Sequence, residues 1–132
     1  MSGTLSFNHA MIYSQDLDKS LPFYRDLLGL TVLQEFRGGP KPVYARLQSP
    51  GSDSTIALHL LEPGQQLHPG AIRLYFEIEN LEAFCQSLIA KGAQFTKPPA
   101  VMPWGWTHAY LNDPDGHEVS LYWAGGQRLA KA

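Results

Sequence analysis

The stretch Asp16–Leu30, DLDKSLPFYRDLLGL, sets the pattern from which the fold can be predicted. Asp16 is of a residue type that accepts hydrogen bonds from the first turn of a helix, and Gly29 suits the left-handed backbone that often ends one. Between them, apolar side chains recur near helical spacing. We therefore expect a helix from Asp16 to Gly29, with an irregular or late first turn because Pro22 lacks a backbone N–H.

Strand-forming stretches lie on both sides of this helix. One precedes it, and three follow it, separated by segments that contain glycine and proline. The predicted strands are Leu5–Tyr13, Leu30–Phe36, Val43–Leu47 and Thr55–Glu62. The first half of the chain is therefore predicted to have the order β, α, β, β, β.

The second half repeats this order, since Asn80 lies 64 residues after Asp16, and Gly92 lies 63 residues after Gly29. The predicted elements are strand Ala71–Ile78, helix Leu81–Lys91, a strand beginning at Ala93–Thr96, and strands Trp106–Leu111 and His117–Trp123. We predict an α+β fold in which two βαβββ modules form curved mixed sheets with helices on the outside. One domain spans residues 1–132, with modules at about 5–62 and 71–123, a linker at 63–70 and a tail at 124–132.

Composition limits the classes of function. The chain has 132 residues, 44% hydrophobic and 17% charged, with ten basic and twelve acidic side chains. No basic run is present, so nucleic acid is an unexpected partner. No stretch approaches the ~20 apolar residues that span a bilayer, and the first ten residues do not resemble a signal peptide, so no membrane partner and a cytoplasmic location are expected. The single cysteine, Cys85, is expected to be a small buried hydrophobe.

Alternation along two strands predicts a binding surface. Successive side chains of a strand point to opposite faces, so His9, Met11 and Tyr13 share one face and Ile12 lies on the other. In the fifth strand, apolar residues alternate with a polar set that begins at Arg73. A curved sheet with such a polar face is expected to form a ligand cup.

Four motifs together carry a resemblance to a known family. They are His9 ahead of Asp16, the stretch Phe23–Leu30, the loop Pro103-Trp-Gly105, and Asp113-Pro-Asp-Gly116 before the last strand. This combination resembles the glyoxalase, bleomycin-resistance and extradiol-dioxygenase superfamily, also called the vicinal oxygen chelate fold, from Asn8 to about Trp123. The resemblance implies two modules around a shared ligand cup, and association as a homodimer.

The resemblance also implies positions for metal ligands, at the start of the first strand and on the last strand of each module. Carried over to this chain, these positions are His9, His59, Arg73 and Ser120. Arginine and serine here replace a histidine and a glutamate, and a guanidinium repels a dication. The expected cofactor is thus one divalent metal, zinc, manganese, nickel or iron, or none.

A third metal ligand has two candidates. Glu77 shares a strand face with Arg73 and is expected either to complete a site with His9 and His59 or to pair with Arg73. Glu118 replaces it if the register of the last strand is shifted.

Aromatic and cationic side chains are the candidates for binding a small-molecule ligand. They are Arg73, Tyr13, Tyr75, Trp104, Trp106 and His108. The tryptophans suit a planar ligand but also suit packing, and His108 is expected to face either the cup or water. Two other histidines, His68 and His117, are expected to be solvated.

Two functions remain open on this evidence. One is a small-molecule binding protein that holds a planar or anionic ligand beside a degenerate metal site. The alternative is a divalent-metal-dependent lyase, isomerase or dioxygenase that acts on vicinal oxygens, for which no catalytic residue is assigned. A subunit without a ligand of its own would leave the polar cup unexplained.

Overall fold

The computed structural model describes residues 3–125, and the chain divides into two compact units at Leu67 and His68. The first unit contains β1 (His9–Ser14), α1 (Leu17–Leu21), a π-helical segment (Pro22–Leu27), β2 (Thr31–Gly38), β3 (Lys41–Gln48) and β4 (Thr55–Leu60). The second contains β5 (Arg73–Glu77), α2 (Leu81–Ala90), β6 (Phe95–Val101), β7 (Thr107–Asn112) and β8 (Glu118–Trp123). The predicted α+β fold is confirmed. Residues 126–132 of the predicted tail lie outside the described residues.

Each unit holds one four-stranded mixed sheet. The strand orders are β1-β4-β3-β2 and β5-β8-β7-β6. In both sheets the first strand pairs in parallel with the last, and the remaining pairs are antiparallel. Within residues 3–125 neither sheet closes into a barrel, so each keeps one face for its helix and a second face without one.

The helix-covered face of the first sheet holds the core of its unit. Ile12 and Ser14 alternate inward along β1 and are fully buried, as the sequence pattern indicates for Ile12. The Ser14 hydroxyl donates to the Ser20 hydroxyl of α1 at 3.0 Å, so a polar pair replaces apolar contact at this point. Consequently His9, Met11 and Tyr13 point to the opposite face.

The first helix differs from the expected continuous one. Asp16 is the N-cap, as predicted, and its side chain accepts a hydrogen bond from the Asp18 backbone N–H at 2.9 Å. The helix α1 therefore begins at Leu17, directly after the cap, with a regular first turn. The irregularity starts at Pro22, which has no N–H to continue the ladder. After it, the Leu28 N–H donates to the Phe23 carbonyl five residues back, at 3.0 Å, which is the π-helical spacing.

The helix of the second unit follows its sequence pattern closely. Leu81, Cys85 and Leu88 recur at helical spacing and are buried. Burial raises the pKa of the Cys85 thiol to about 11, which keeps it protonated and unreactive at neutral pH. None of the helices in residues 3–125 combines the length and apolar character needed to span a bilayer.

The turn before β8 is more buried than the sequence suggested. The Asp113 carboxylate accepts hydrogen bonds from the backbone N–H groups of Asp115 and His117, each at 2.9 Å. The segment around Pro69 covers the turn, since a Cβ added at Gly116 would lie 2.8 Å from the Pro69 Cβ. The expectation that His117 is solvated is therefore wrong: its side chain is buried. His68 is exposed, as expected.

Candidate functional site

The helix-free face of the second sheet is dominated by rings. We call it the aromatic face; it consists of Tyr75, Trp104, Trp106, His108, Tyr110 and Tyr122. Strand register creates it, because Tyr122 of β8 pairs with His108 of β7, and Ser120 pairs with both Tyr75 and Tyr110. Residues that pair directly project from the same side of a sheet. Four of the predicted ligand-binding residues are thereby brought together: Tyr75, Trp104, Trp106 and His108.

Four of these rings are nearly parallel. The Trp106 and Tyr122 rings have centroids 5.2 Å apart and planes 6° apart. His108 lies 5.2 Å from Tyr122 at 16°, and 5.8 Å from Tyr110 at 13°. These values lie within the offset-stacked range for aromatic pairs. The face therefore presents an ordered row of flat groups.

Two further rings meet this row edge-on. Tyr75 lies 6.1 Å from His108 at 89°, and Trp104 lies 5.5 Å from His108 at 74°. Trp104 is 55% exposed and Tyr75 is 53% exposed. They form the solvent-accessible part of the face, whereas His108 and Tyr110 form its buried part.

Two cations border the aromatic face at Tyr110. The Arg73 guanidinium carbon lies 5.2 Å from the Tyr110 ring centroid, and the Lys97 ammonium lies 5.4 Å from it. Both distances are within cation–π range. Arg73 was expected, as one alternative, to pair with Glu77; in the structure its Nε donates to Glu118 and its NH1 donates to the Tyr75 hydroxyl. The register explains this, because Glu118 lies directly beside Arg73.

His108 was expected to face either the cup or water. In the structure it is the buried centre of the aromatic face. It is 3% exposed, and its Nδ1 lies 2.9 Å from the Ser120 hydroxyl. Its Nε2 is buried and has no hydrogen-bond partner among residues 3–125. Burial, and secondly the charge of Arg73, lower the pKa of His108 below its ordinary value, so the ring is neutral at neutral pH.

The helix-free face of the first sheet holds a smaller cluster. The rings of Tyr13 and Tyr44 lie 5.7 and 6.3 Å from His59. Arg46 donates from Nε to the Tyr44 hydroxyl at 3.2 Å and from NH1 to the Asn8 side-chain oxygen at 3.1 Å. Sequence reasoning missed Tyr44 and Arg46, although alternation with the buried Ala45 and Leu47 along β3 would have indicated them.

The two proposed imidazole ligands lie on this first face, but not side by side. His9 pairs with Thr55, and His59 pairs with Tyr13, four residues further along β1. At ~3.3 Å per residue this is a separation of about 13 Å along the sheet. Each Nδ1 contacts an oxygen acceptor: the Asn8 side chain at 2.5 Å for His9, and the Leu60 carbonyl at 2.6 Å for His59.

The side chains at the positions implied for metal ligands do not fit a divalent metal. In the second sheet Arg73 pairs with Glu118, and Ser120 lies two residues further along β8. In the first sheet His9 pairs with Thr55, and the residue two positions further along β4 is Ala57. The residue that corresponds to Ser120 is therefore Ala57, not His59. Alanine offers no ligand, and a guanidinium cannot ligate a cation. The Ser120 hydroxyl is hydrogen-bonded to His108 Nδ1. Among residues 3–125 no three His, Cys, Asp or Glu side chains form a group able to hold a metal ion.

The proposed third ligands are also placed by the register of β8. Glu118 is held by Arg73, and Glu77 is half-buried beside Tyr122. Neither carboxylate belongs to a described group of three metal-ligand side chains.

Comparisons with known proteins agree with this architecture. Residues 6–121 match the sequence model described as Glyoxalase/Bleomycin resistance protein/Dioxygenase superfamily. A protein of Synechocystis sp. named "Probable lactoylglutathione lyase" is 29% identical over 119 residues, which cover 86% of this chain and 91% of the relative.

Solved structures extend the likeness. A superfamily member from Sphaerobacter thermophilus has 28% identity and a TM-score of 0.73, covering 90% of this chain and 98% of its own. TnmS3, an antibiotic binding protein from Streptomyces sp., has 23% identity and a TM-score of 0.75, covering 93% of this chain and 98% of its own. At that identity the second likeness concerns the fold alone.

The lowered pKa of His108 predicts a pH dependence of stability. Between the folded-state pKa and the ordinary value near 6.5, the unfolded chain binds more protons than the folded one. The free energy of unfolding should therefore fall as the pH is lowered through this window. Urea unfolding at pH 7.5 and pH 5.5 measures the slope, which we expect His108→Gln to reduce.

The matched control for this measurement is His68→Gln, because the His68 side chain is exposed to solvent. It should keep the wild-type difference between the two pH values. An unchanged difference in His108→Gln would show that His108 does not resist protonation.

Proposed function

The chain belongs to the Glyoxalase/Bleomycin resistance protein/Dioxygenase superfamily, and we propose that it is a small-molecule binding protein that holds a planar or anionic ligand on the aromatic face, beside a degenerate metal site. The observation that carries this proposal is the row of near-parallel rings from Trp106 through Tyr122 and His108 to Tyr110.

A planar ligand suits this face for two physical reasons. Stacked aromatic pairs contribute about 0.5–1.5 kcal/mol beyond the burial of their area. In addition, Trp104 and Tyr75 are more than half exposed, and covering such apolar surface contributes ~25 cal/mol per Å². A rigid flat ligand also loses little conformational entropy on binding.

A negative charge on the ligand is favoured at the Tyr110 end of the row. Arg73 and Lys97 both lie over that ring, and within the described part of the chain no carboxylate lies within salt-bridge distance of Lys97. Arg73 is less available, because Glu118 offsets its charge. The anionic preference is thus secondary to the preference for a flat ring.

The alternative function is a divalent-metal-dependent lyase, isomerase or dioxygenase, and the names of curated relatives are its support. It depends on a metal that the donor set of this chain does not fit, since Ala57, Arg73 and Ser120 stand at three of the four corresponding positions. We therefore place binding first.

Calorimetric titration with matched probes tests the proposal. 2-Naphthoate is flat and anionic, and cyclohexanecarboxylate is anionic but not flat. We expect 2-naphthoate to bind more tightly, and Trp106→Leu to weaken it about tenfold, because one stacked partner is lost. Trp123→Leu is the control, since the Trp123 side chain points to the other face of β8. Equal affinity for the two probes, or equal weakening in both variants, would contradict the proposal.

Metal analysis separates the two functions. Protein purified without a histidine tag is incubated with zinc, manganese, nickel or iron(II), dialysed and measured by elemental analysis. We expect well under one metal per chain, and the same value for His9→Ala. Stoichiometric metal in the wild type that disappears in His9→Ala would support the enzyme and contradict the metal-free site.

A further inference from the structure

We propose that His108 donates a hydrogen bond from Nε2 to the ligand, so that the aromatic face selects flat aromatic compounds that carry an acceptor oxygen, a carbonyl or a phenolate. The inference rests on the proposed function and names the chemistry of the ligand. Stacking alone accepts any flat ring, whereas a single buried donor distinguishes among them.

The first observation is the unmet polar atom at the centre of the rings. His108 is 3% exposed, yet its Nε2 has no hydrogen-bond partner in residues 3–125. A buried donor without a partner destabilises the ligand-free protein. An acceptor on a bound ligand would remove that penalty, so binding gains affinity from a group that the fold leaves unsatisfied.

The second observation fixes which hydrogen His108 carries. Ser120 is fully buried, and among residues 3–125 its side chain hydrogen-bonds only with His108 Nδ1. If Nδ1–H donated to the serine oxygen, the serine hydroxyl would have no acceptor and Nε2 would have no donor. If the hydroxyl donates to Nδ1, only Nε2–H is left unmet. The second tautomer leaves fewer buried groups unsatisfied and makes Nε2 a donor.

The charges around the ring favour the same choice of ligand. Arg73 of β5 and Lys97 of β6 both lie over Tyr110, the ring stacked on His108. Glu118 of β8 is the carboxylate on this side of the sheet that pairs with Arg73. Glu77 lies beside Tyr122 on the same face, so the cation that attracts an electron-rich oxygen is Lys97, which has no carboxylate within salt-bridge distance among residues 3–125.

Trp104 is the group that the ligand moves to reach His108. It occupies the third position of a turn closed by a hydrogen bond from the Gly105 N–H to the Met102 carbonyl, at 2.8 Å. Its ring contacts His108 edge-on and is mostly exposed. A side chain at the tip of a turn rotates without disturbing the sheet, so the ligand can replace it over His108.

Two probes of the same shape test the inference. 2-Acetylnaphthalene carries a carbonyl oxygen, and 2-isopropenylnaphthalene has a CH₂ group in its place and no acceptor. We expect the wild-type protein to bind the ketone about tenfold more tightly in calorimetric or fluorescence titration. The double variant His108→Phe with Ser120→Ala keeps an aromatic ring at position 108 and removes the two imidazole nitrogens and the serine hydroxyl; it should bind the two probes equally, with its affinity for the hydrocarbon retained.

Each outcome has a distinct meaning. Equal wild-type affinities, with Trp106→Leu weakening both probes, would overturn the role of His108 and leave the proposed function standing. A ketone preference that survives in the double variant would also overturn it. Failure of both probes while 2-naphthoate binds would overturn the inference alone, and failure of all three would overturn the proposed function as well.

A measurement on the wild-type protein covers the case in which the variant does not fold. Histidine ¹⁵N shifts distinguish the two neutral tautomers. We expect His108 to carry its proton on Nε2, with that nitrogen shifted when 2-acetylnaphthalene is added; a proton on Nδ1 would overturn the inference.

Discussion

The register of β8 is the constraint on which the candidate site depends. This strand lies between β5 and β7, so each of its residues has a neighbour on both sides. Tyr122 stands beside His108 and Glu77, and Ser120 stands beside Tyr75 and Tyr110. A slip of β8 by one residue would turn Tyr122 and Ser120 toward the helix and bring Val119 and Leu121 onto the aromatic face in their place. The buried apolar residues of β8 therefore hold the polar and aromatic ones in position.

The same register pairs the polar side chains at the positions that the family resemblance implies for metal ligands. The position beside Tyr75 carries the Ser120 hydroxyl, which is hydrogen-bonded to His108. Two residues earlier on the same face of β8, Glu118 is paired with Arg73. Polar groups at these positions are thus paired with one another. What remains open is a neutral imidazole among rings, a setting better suited to a flat organic molecule than to an ion.

Much of the fold follows from local sequence signals. Asp16, Gly29 and the Asp113–Gly116 turn mark element boundaries, and alternation along β1 identifies its buried face. The π-helical segment was not predicted, because Pro22 permits several local solutions and packing selects one. Burial of His117 was also missed, because the motif alone does not indicate that the segment around Pro69 covers the turn at Gly116.

The sequence indicated which residues belong to the candidate site, but not which of them contact one another. Side chains such as Trp106 and His108 were identified by type and by motif. The partners of Arg73 and His108 were not, because they depend on which residues of strands far apart in sequence lie opposite one another. Arg73 and Glu118 are separated by 45 residues, and only the parallel register of β5 and β8 brings them together. The shared cup and the homodimer remain predictions.

The central claim is that the aromatic face receives a flat ligand, and a crystal structure of the protein with 2-naphthoate tests it most directly. The account predicts that the naphthalene ring lies parallel to Trp106 at about 3.5–4 Å, with its carboxylate toward Lys97. A naphthalene ring bound on the Trp123 side of the sheet, or on the first unit's Tyr13 cluster with the aromatic face empty, would contradict it.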